Sequence, residues 1–552
     1  MVREERESGR EAGGLGRREF LARSVAVGVG VAAAAGELRA GRPGEAAGAF
    51  EFEEATIARL SRAMEEGKLT ARVLAQSYIE RIEGVDRNGP ALNSVIELNP
   101  DALAIADALD AERRSKGARG PLHGIPVLVK DNIDTADRMK TSAGSLALAD
   151  STPPADATVA ARLRAAGAVI LGKTNLSEWA NFRSTRSTSG WSGRGGQTKN
   201  PYALDRNPCG SSSGSGAAIS ANLAAAAIGT ETDGSIVCPS HNNGIVGIKP
   251  TLGLVSRAGI IPIAASQDTA GPMCRTVADA AIVLAAIAGV DPRDAATARH
   301  STAAPLDWRT ALEPGGFKGA RIGVARNPGF AGGHPGVEKV FEEALHAIAA
   351  AGATLVDPAS IPRVGEYDDA ELEVLLYEFK DGLNVYLASL GPAARVKTLA
   401  ELIRFNEENR EREMPFFGQE LFLKTQEKSP LTDKAYRKAR AKCVRLSRAD
   451  GLDAVLGRLR LDAVVAPTGG PAWVTDLVNG DHFGGGSSTP AAVAGYPSIT
   501  VPAGAVFGLP VGVSFIGAPW SETRLIRLAS AFEQATNARR TPRLLPTLPL
   551  SP

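Results

Sequence analysis

The sequence predicts an α/β protein in which helices cover both faces of a β-sheet. Three observations carry this. Helical and strand-like segments alternate along most of the chain. The 552 residues are 44% hydrophobic and 22% charged, an ordinary globular mixture with ample apolar material for a large core. No internal repeat or long low-complexity linker divides the regular part, so one large domain is expected over residues 51–545.

Residues 1–50 precede that pattern and have the layout of an export signal. A charged, glycine-rich stretch leads into Gly16-Arg17-Arg18-Glu19-Phe20-Leu21. A weakly apolar run from Ser24 to Gly36 follows, then small residues. The run is too short to cross a bilayer as a helix. Paired arginines followed by Phe-Leu resemble a twin-arginine signal. The expectation is passage through the twin-arginine export machinery to the periplasm or the extracellular space. No later stretch reaches the length of apolar sequence a spanning helix needs, so no stable membrane association is expected.

From Phe50 the pattern turns regular. Residues 56–66 read as a helix. Thr70 is a good N-cap for a second, with Leu74, Tyr78 and Ile82 on one face. Residues 92–98 are strand-like, 101–116 helical, and 125–129 a buried-type strand. Residues 158–166 form a helix stopped by Gly167, before a strand at 168–171. A helix is expected at 217–224. Further strands are expected at 245–248, 321–324 and 463–466, and further helices at 276–288, 337–351 and 521–537. Residues 366–456 form a long charged helical stretch that suggests a lobe.

Composition excludes several function classes. Lys and Arg total 62 against 61 Asp and Glu, which leaves no electrostatic footprint for nucleic acid. The four cysteines, at 209, 238, 274 and 443, include no CxxC and are too few for a disulfide framework. A chain not stapled by disulfides is therefore expected. Gly167–Thr174 matches the phosphate-loop expression GxxxxGK[ST], but its spacer Ala-Val-Ile-Leu reads as a strand and a helix precedes it. Its backbone donors belong to a sheet, not a phosphate. The six histidines lack metal-ligand spacing.

The informative region is 209–253. Cys209-Gly-Ser-Ser-Ser-Gly-Ser-Gly216 is short and lies between apolar segments, unlike a linker. A second small-residue turn, Gly229-Thr-Glu-Thr-Asp-Gly-Ser235, follows. Successive small residues let several N–H groups aim at one point, which makes a candidate oxyanion hole with Ser235 as a positioned hydroxyl. A serine nucleophile needs a base. Lys130 ends an apolar strand, where burial lowers a lysine's proton affinity. Pairing with Asp131 is the alternative role for that lysine.

These residues resemble the amidase signature family. GSSSGSGAA, GTETDGSI and NGIVGIKPT fall within 209–251. Upstream lie GPLHGIPVLVKDNI (120–133) and GAVILGKTNLSEWANF (167–182), and downstream Asp268-Thr-Ala-Gly-Pro272. The resemblance spans about residues 54–540. The variant GTETDGSIVCPS, with SEWANFRS and GGQTKNPY, is most similar to bacterial peptide amidases, which hydrolyse the C-terminal amide of peptides. The resemblance implies the amidase-signature fold, a large mixed sheet flanked by helices. It implies a Ser-cisSer-Lys triad of Ser235 as nucleophile, Ser211 as bridging serine after a cis bond from Gly210, and Lys130 as base. The backbone N–H groups of Thr232, Asp233, Gly234 and Ser235 would form the oxyanion hole. Asp233 stands where most members carry glycine and adds a negative group beside that hole. Asn181 and Ser212 are candidate substrate contacts.

Acyl transfer of this kind requires no metal or organic cofactor, and the partner is a small-molecule or peptide amide. Alternatives are a broad-specificity aryl or acyl amidase and the A subunit of a transfer-RNA amidotransferase, which the export signal opposes. Many members carry arginine two residues after the nucleophile. Here the residue is Val237, which predicts poor turnover of carboxylate-bearing amides.

Overall fold

The computed structural model describes residues 50–302, 308–392 and 394–549. The export signal expected in residues 1–50 lies outside these, apart from residue 50. Phe52 onward forms one compact unit.

Its centre is an eleven-stranded mixed sheet. The strands in chain order are β1 Val95–Leu98, β2 Pro126–Lys130, β3 Val169–Thr174, β4 Trp191–Ser192, β5 Gly196–Gln197, β6 Ala226–Glu231, β7 Val246–Lys249, β8 Thr269–Cys274, β9 Arg321–Val324, β10 Thr354–Val356, β11 Ala463–Pro467, β12 Ser498–Val506 and β13 Leu509–Ile516. β4 and β5 pair only with each other. The others lie in the order β1-β3-β2-β6-β8-β7-β12-β13-β11-β9-β10. β3, β2 and β6 run parallel, as do β11, β9 and β10, while the strands between β6 and β11 pair antiparallel. β2, β3, β6 and β8 are buried along their whole length, as strands covered on both faces must be.

Helix starts follow local chemistry. Thr56, Thr70 and Thr276 accept from the N–H three residues on and open helices Ile57–Glu65, Ala71–Arg81 and Val277–Ile287. The helix expected at 217–224 is instead Ser213–Ser220, and the alanine run after it enters strand β6. Alanine favours helix, but a segment flanked by β2 and β8 is held extended by its neighbours, and tertiary pairing overrides propensity. Gly229 in β6 is required by close approach. A Cβ there would lie 2.9 Å from Ser212 Oγ and 2.6 Å from the Met273 sulfur.

The charged stretch 366–456 is helical, from Asp368–Ser389 through Leu399–Glu408 and Glu420–Gln426 to Lys434–Val444. Leu376, Phe379, Leu383 and Phe422 of this lobe pack with Trp179, Phe182, Ile261 and Ile263. Buried Arg183 joins lobe to core: it pairs with Glu178, donates to the Glu413 carbonyl at 2.6 Å and lies 4.4 Å from the Phe417 ring centre. Among the described residues no helix is long and apolar enough to cross a membrane.

Candidate active site

β2 and β6 are adjacent and parallel, with Val129 opposite Ile228. Their carboxyl ends therefore bring Lys130 beside Thr230, where open α/β sheets carry their sites. Lys130 is fully buried. Its Nζ lies 2.8 Å from Ser211 Oγ, 2.9 Å from Thr230 Oγ1, 3.0 Å from Ser212 Oγ and 3.3 Å from the Thr230 carbonyl oxygen. Every partner is neutral. Burial pushes its proton affinity down to about 7, against a weaker opposing pull from Glu231 and Asp268. Asp131 turns the other way, accepting from the Gly144 N–H at 3.1 Å and from Arg194 Nη1 at 3.4 Å. The alternative pairing of Lys130 with Asp131 is thus not the arrangement found.

Ser211 follows a cis peptide bond from Gly210 and precedes helix Ser213–Ser220. Ser235 follows a tight turn at the end of β6 and precedes helix Val237–Asn242. The two segments touch directly: the Ser212 N–H donates to the Ser235 carbonyl at 3.2 Å. Gly234 adopts φ +77°, the left-handed conformation that favours glycine, and turns the chain just before the nucleophile candidate.

Three carboxylates hold this turn. Glu231 Oε2 accepts from the N–H groups of Ile236 at 2.7 Å and Val237 at 3.0 Å. Thr232 Oγ1 donates to Asp268 at 2.6 Å. Asp233 accepts from Ser488 Oγ at 2.5 Å and Thr489 Oγ1 at 2.6 Å. The Asp233 carboxyl thus points at a neighbouring loop and ties it to the turn. The N–H groups of Thr232, Asp233, Gly234 and Ser235 donate to no protein acceptor among the described residues. All four residues line one cavity of about 600 Å³ together with Ser211. A second cavity of about 340 Å³ is also lined by Ser211, together with Thr230.

The larger cavity is a cleft that Ser211 and Ser235 both line. Phe182, Ile263, Leu375 and Leu421 give it one apolar wall, and Trp473 and Phe483 another. Asn181 also lines it. The preceding Trp179 and Ala180, and Asn181 itself, sit at positive φ, and the buried Asn181 Oδ1 has no partner among the described residues. Ser212, grouped with Asn181 from sequence, does not line the cleft. It is fully buried and its Oγ lies against Lys130 Nζ and donates to the Thr230 carbonyl at 3.0 Å. The residue one step past Ser211 points back under the β6 end, where it meets the lysine rather than the cleft.

A second correction concerns the cysteines. Cys209 and Cys238 form a disulfide, 29 residues apart with Cα atoms 6.0 Å apart, and both line the cleft. Sequence spacing hid it because the two residues meet only when the Ser211 and Ser235 segments meet. Thr230, Asn132 and the loop 469–489 were also missed. Asn132 Nδ2 donates to Thr230 Oγ1 at 3.0 Å, steadying the lysine's neighbour. The one available signal for the loop was its run Gly484-Gly-Gly-Ser-Ser-Thr489.

The segment that matched the phosphate-loop expression is strand β3, and Lys173 donates to the Ile133 carbonyl at 2.6 Å and Thr141 Oγ1 at 2.8 Å. Buried His241 accepts the Gly512 N–H at 2.7 Å and donates to the Gly470 carbonyl at 2.8 Å, a structural role.

A family model described as Amidase matches residues 73–526. A probable amidase of Arabidopsis thaliana is 43% identical over 505 residues, 90% of this chain and 93% of that protein. The native peptide amidase of Stenotrophomonas maltophilia, a crystal structure, superposes with a TM-score of 0.86 at 52% identity, covering 90% of this chain and 99% of that one. A glutamyl-tRNA(Gln) amidotransferase subunit of Symbiobacterium thermophilum is 37% identical over 493 residues, 87% of this chain and 96% of that protein.

Proposed function

The chain belongs to the amidase family and is a hydrolase acting on amides, and from that premise we propose that it cleaves the C-terminal carboxamide of peptides through an acyl-enzyme on Ser235. The observation that carries this reading is Lys130 Nζ at 2.8 Å from Ser211 Oγ, on a cavity lined by residues 232–235, whose four N–H groups have no protein acceptor among the described residues.

In this mechanism neutral Lys130 accepts the Ser211 hydroxyl proton as Ser211 takes the proton of Ser235. Ser235 Oγ bonds to the amide carbon, and the oxyanion is met by the N–H groups at 232–235. The carbon–nitrogen bond breaks as the relay returns its proton to the leaving nitrogen, which departs as ammonia. Water, activated through the same relay, then attacks the ester. Its oxygen enters the carboxylic acid product, and Ser235 recovers its hydrogen.

The wall of Phe182, Ile263, Leu375 and Leu421 suits the side chain of the C-terminal residue, and the similarity to a peptide amidase supports a peptide ligand. Buried Val237 lines the cleft where a carboxylate-binding arginine would stand, which favours neutral amides. Residues 1–50 carry the second part of the proposal, export by the twin-arginine route. The Cys209–Cys238 disulfide fits an oxidising compartment.

The test is ammonia release from a panel of peptide, aryl and small acyl amides. Higher kcat/KM for peptide amides is expected. Preference for aryl or small acyl amides would replace the peptide reading with a broad amidase. The transferase reading, favoured by the likeness to the amidotransferase protein, requires partner subunits to co-purify.

A further inference from the structure

The bond between Cys209 and Cys238 joins the two segments that carry the catalytic serines. Cys209 stands two residues before Ser211, and Cys238 three residues after Ser235. Among the described residues one backbone–backbone hydrogen bond links these segments directly at the serines, from the Ser212 N–H to the Ser235 carbonyl. Two further ties join Ser212 Oγ to the Thr230 carbonyl at 3.0 Å and the Thr230 N–H at 3.2 Å, five residues before Ser235, and further out Asn243 Nδ2 donates to the Pro208 carbonyl at 2.8 Å. Cys209 is held on its own side, its N–H donating to Asn207 Oδ1 at 2.8 Å and its carbonyl accepting from Ser213 Oγ at 2.6 Å. Cys238 is held on the other, its N–H donating to the Gly234 carbonyl at 2.8 Å. Each sulfur is thus fixed to the turn that presents one serine.

We propose that the Cys209–Cys238 disulfide is a positioning element of the amidase reaction, fixing the separation of Ser211 and Ser235 so that the proton relay operates. Proton transfer between two hydroxyls needs hydrogen-bond distance, and a misplacement of about 1 Å costs about 100-fold in rate. The apolar walls contributed by the lobe and by loop 469–489 come from residues outside the two bonded segments, so binding should change less than turnover. The global fold is spared, because the sheet and the helices after each serine have their own hydrogen bonds. The two other cysteines, Cys274 and Cys443, are buried, free and absent from the cleft lining. Both cysteines line the cleft, the side from which a small reductant would approach the bond.

The inference rests on amide hydrolysis, not on the peptide preference. The test therefore uses whichever neutral carboxamide the enzyme turns over, together with the rate at which a fluorophosphonate labels Ser235. The protein is treated with a water-soluble phosphine, which is oxidised to its oxide as the disulfide takes up two electrons and two protons to give two thiols. Mass spectrometry after alkylation confirms the two thiols. A Cys209→Ser, Cys238→Ser double variant is measured alongside.

The expected result is a kcat at least tenfold lower in the reduced protein, KM within about threefold, slower labelling, and recovery on reoxidation. The double variant should match the reduced protein and ignore the phosphine. A purely stabilising bond would lower Tm and the titratable active fraction but leave turnover per active site unchanged, and that result overturns the proposal. So does full activity in protein whose Cys209 and Cys238 are both alkylatable before reduction. If no amide is hydrolysed while the serine still labels, the activity assignment fails and the labelling rate alone decides the positioning role.

Discussion

Lowering the pH should switch the enzyme off through one buried amine. An ordinary lysine at 10.5 is neutral in about one molecule in three thousand at pH 7, whereas Lys130, at about 7, is neutral in about half. Burial is the cause, and its sign is set by the loss of water around the charged form. As pH falls through about 7, Lys130 gains a proton and can no longer accept one from Ser211. At pH 5 about one molecule in a hundred keeps a neutral lysine, so kcat/KM should fall about 100-fold below its plateau near pH 9.

The assay is ammonia release from an N-acetylated amino-acid amide, which has no titrating group, with circular dichroism at each pH to confirm the fold. Linkage has the same sign for stability. A lysine depressed in the folded state contributes stability that is complete above about 10.5 and is lost as pH falls through about 7. Thr230→Val gives a second arm. It removes a hydroxyl 2.9 Å from Nζ that favours the ammonium, so the acid limb should move to lower pH. It also leaves the buried Asn132 Nδ2 without its acceptor, at a stability cost of about 1–3 kcal/mol. A rate flat from pH 9 to pH 5, or an acid limb near 10, refutes Lys130 as the base.

Ser235→Ala and Lys130→Ala should each remove most turnover with the fold intact, and the double variant should lose little more than either, since the relay acts as a unit; strictly additive losses in kcat count against it. Malonamate should be a far poorer substrate than a neutral dipeptide amide of similar size by kcat/KM, and Val237→Arg should narrow the gap; equal values for the two substrates would remove Val237 from the account. Arg17→Lys with Arg18→Lys should hold the precursor in the cytoplasm, read by cell fractionation, and unchanged export would end the twin-arginine reading.

The sequence spelled out those parts of the fold that rest on local signals. Thr56, Thr70 and Thr276 opened helices as their side chains dictate, and the buried run ending at Lys130 was a strand because uninterrupted apolar residues must be covered on both faces. Lys130 and Ser235 stood out as candidates because a strand-end lysine and glycine-rich turns are unusual on their own, whereas Ser211 was singled out from its neighbours only by the resemblance to the amidase signature family. What escaped depends on chain segments far apart. Ser212 is one residue from Ser211, yet its role follows from the β6 end beneath it. Ser488 and Thr489 meet Asp233 across more than 250 residues, and no spacing rule reaches that far. The disulfide fell to the same cause, since a sparse cysteine count says nothing about two turns that the sheet brings together. The alanine run of β6 shows the converse, a local preference reversed by its neighbours.

The central claim is that Ser235 attacks the terminal carboxamide of a peptide. Its most direct measurement is mass spectrometry of an acid-quenched reaction between the enzyme and an amidated peptide, read on both components. The account predicts a peptide product changed only by exchange of NH2 for OH at its C-terminus, and a transient acyl adduct on the enzyme fragment containing Ser235 that is absent from Ser235→Ala. Cleavage at an internal peptide bond, or an adduct on any residue other than Ser235, would contradict it.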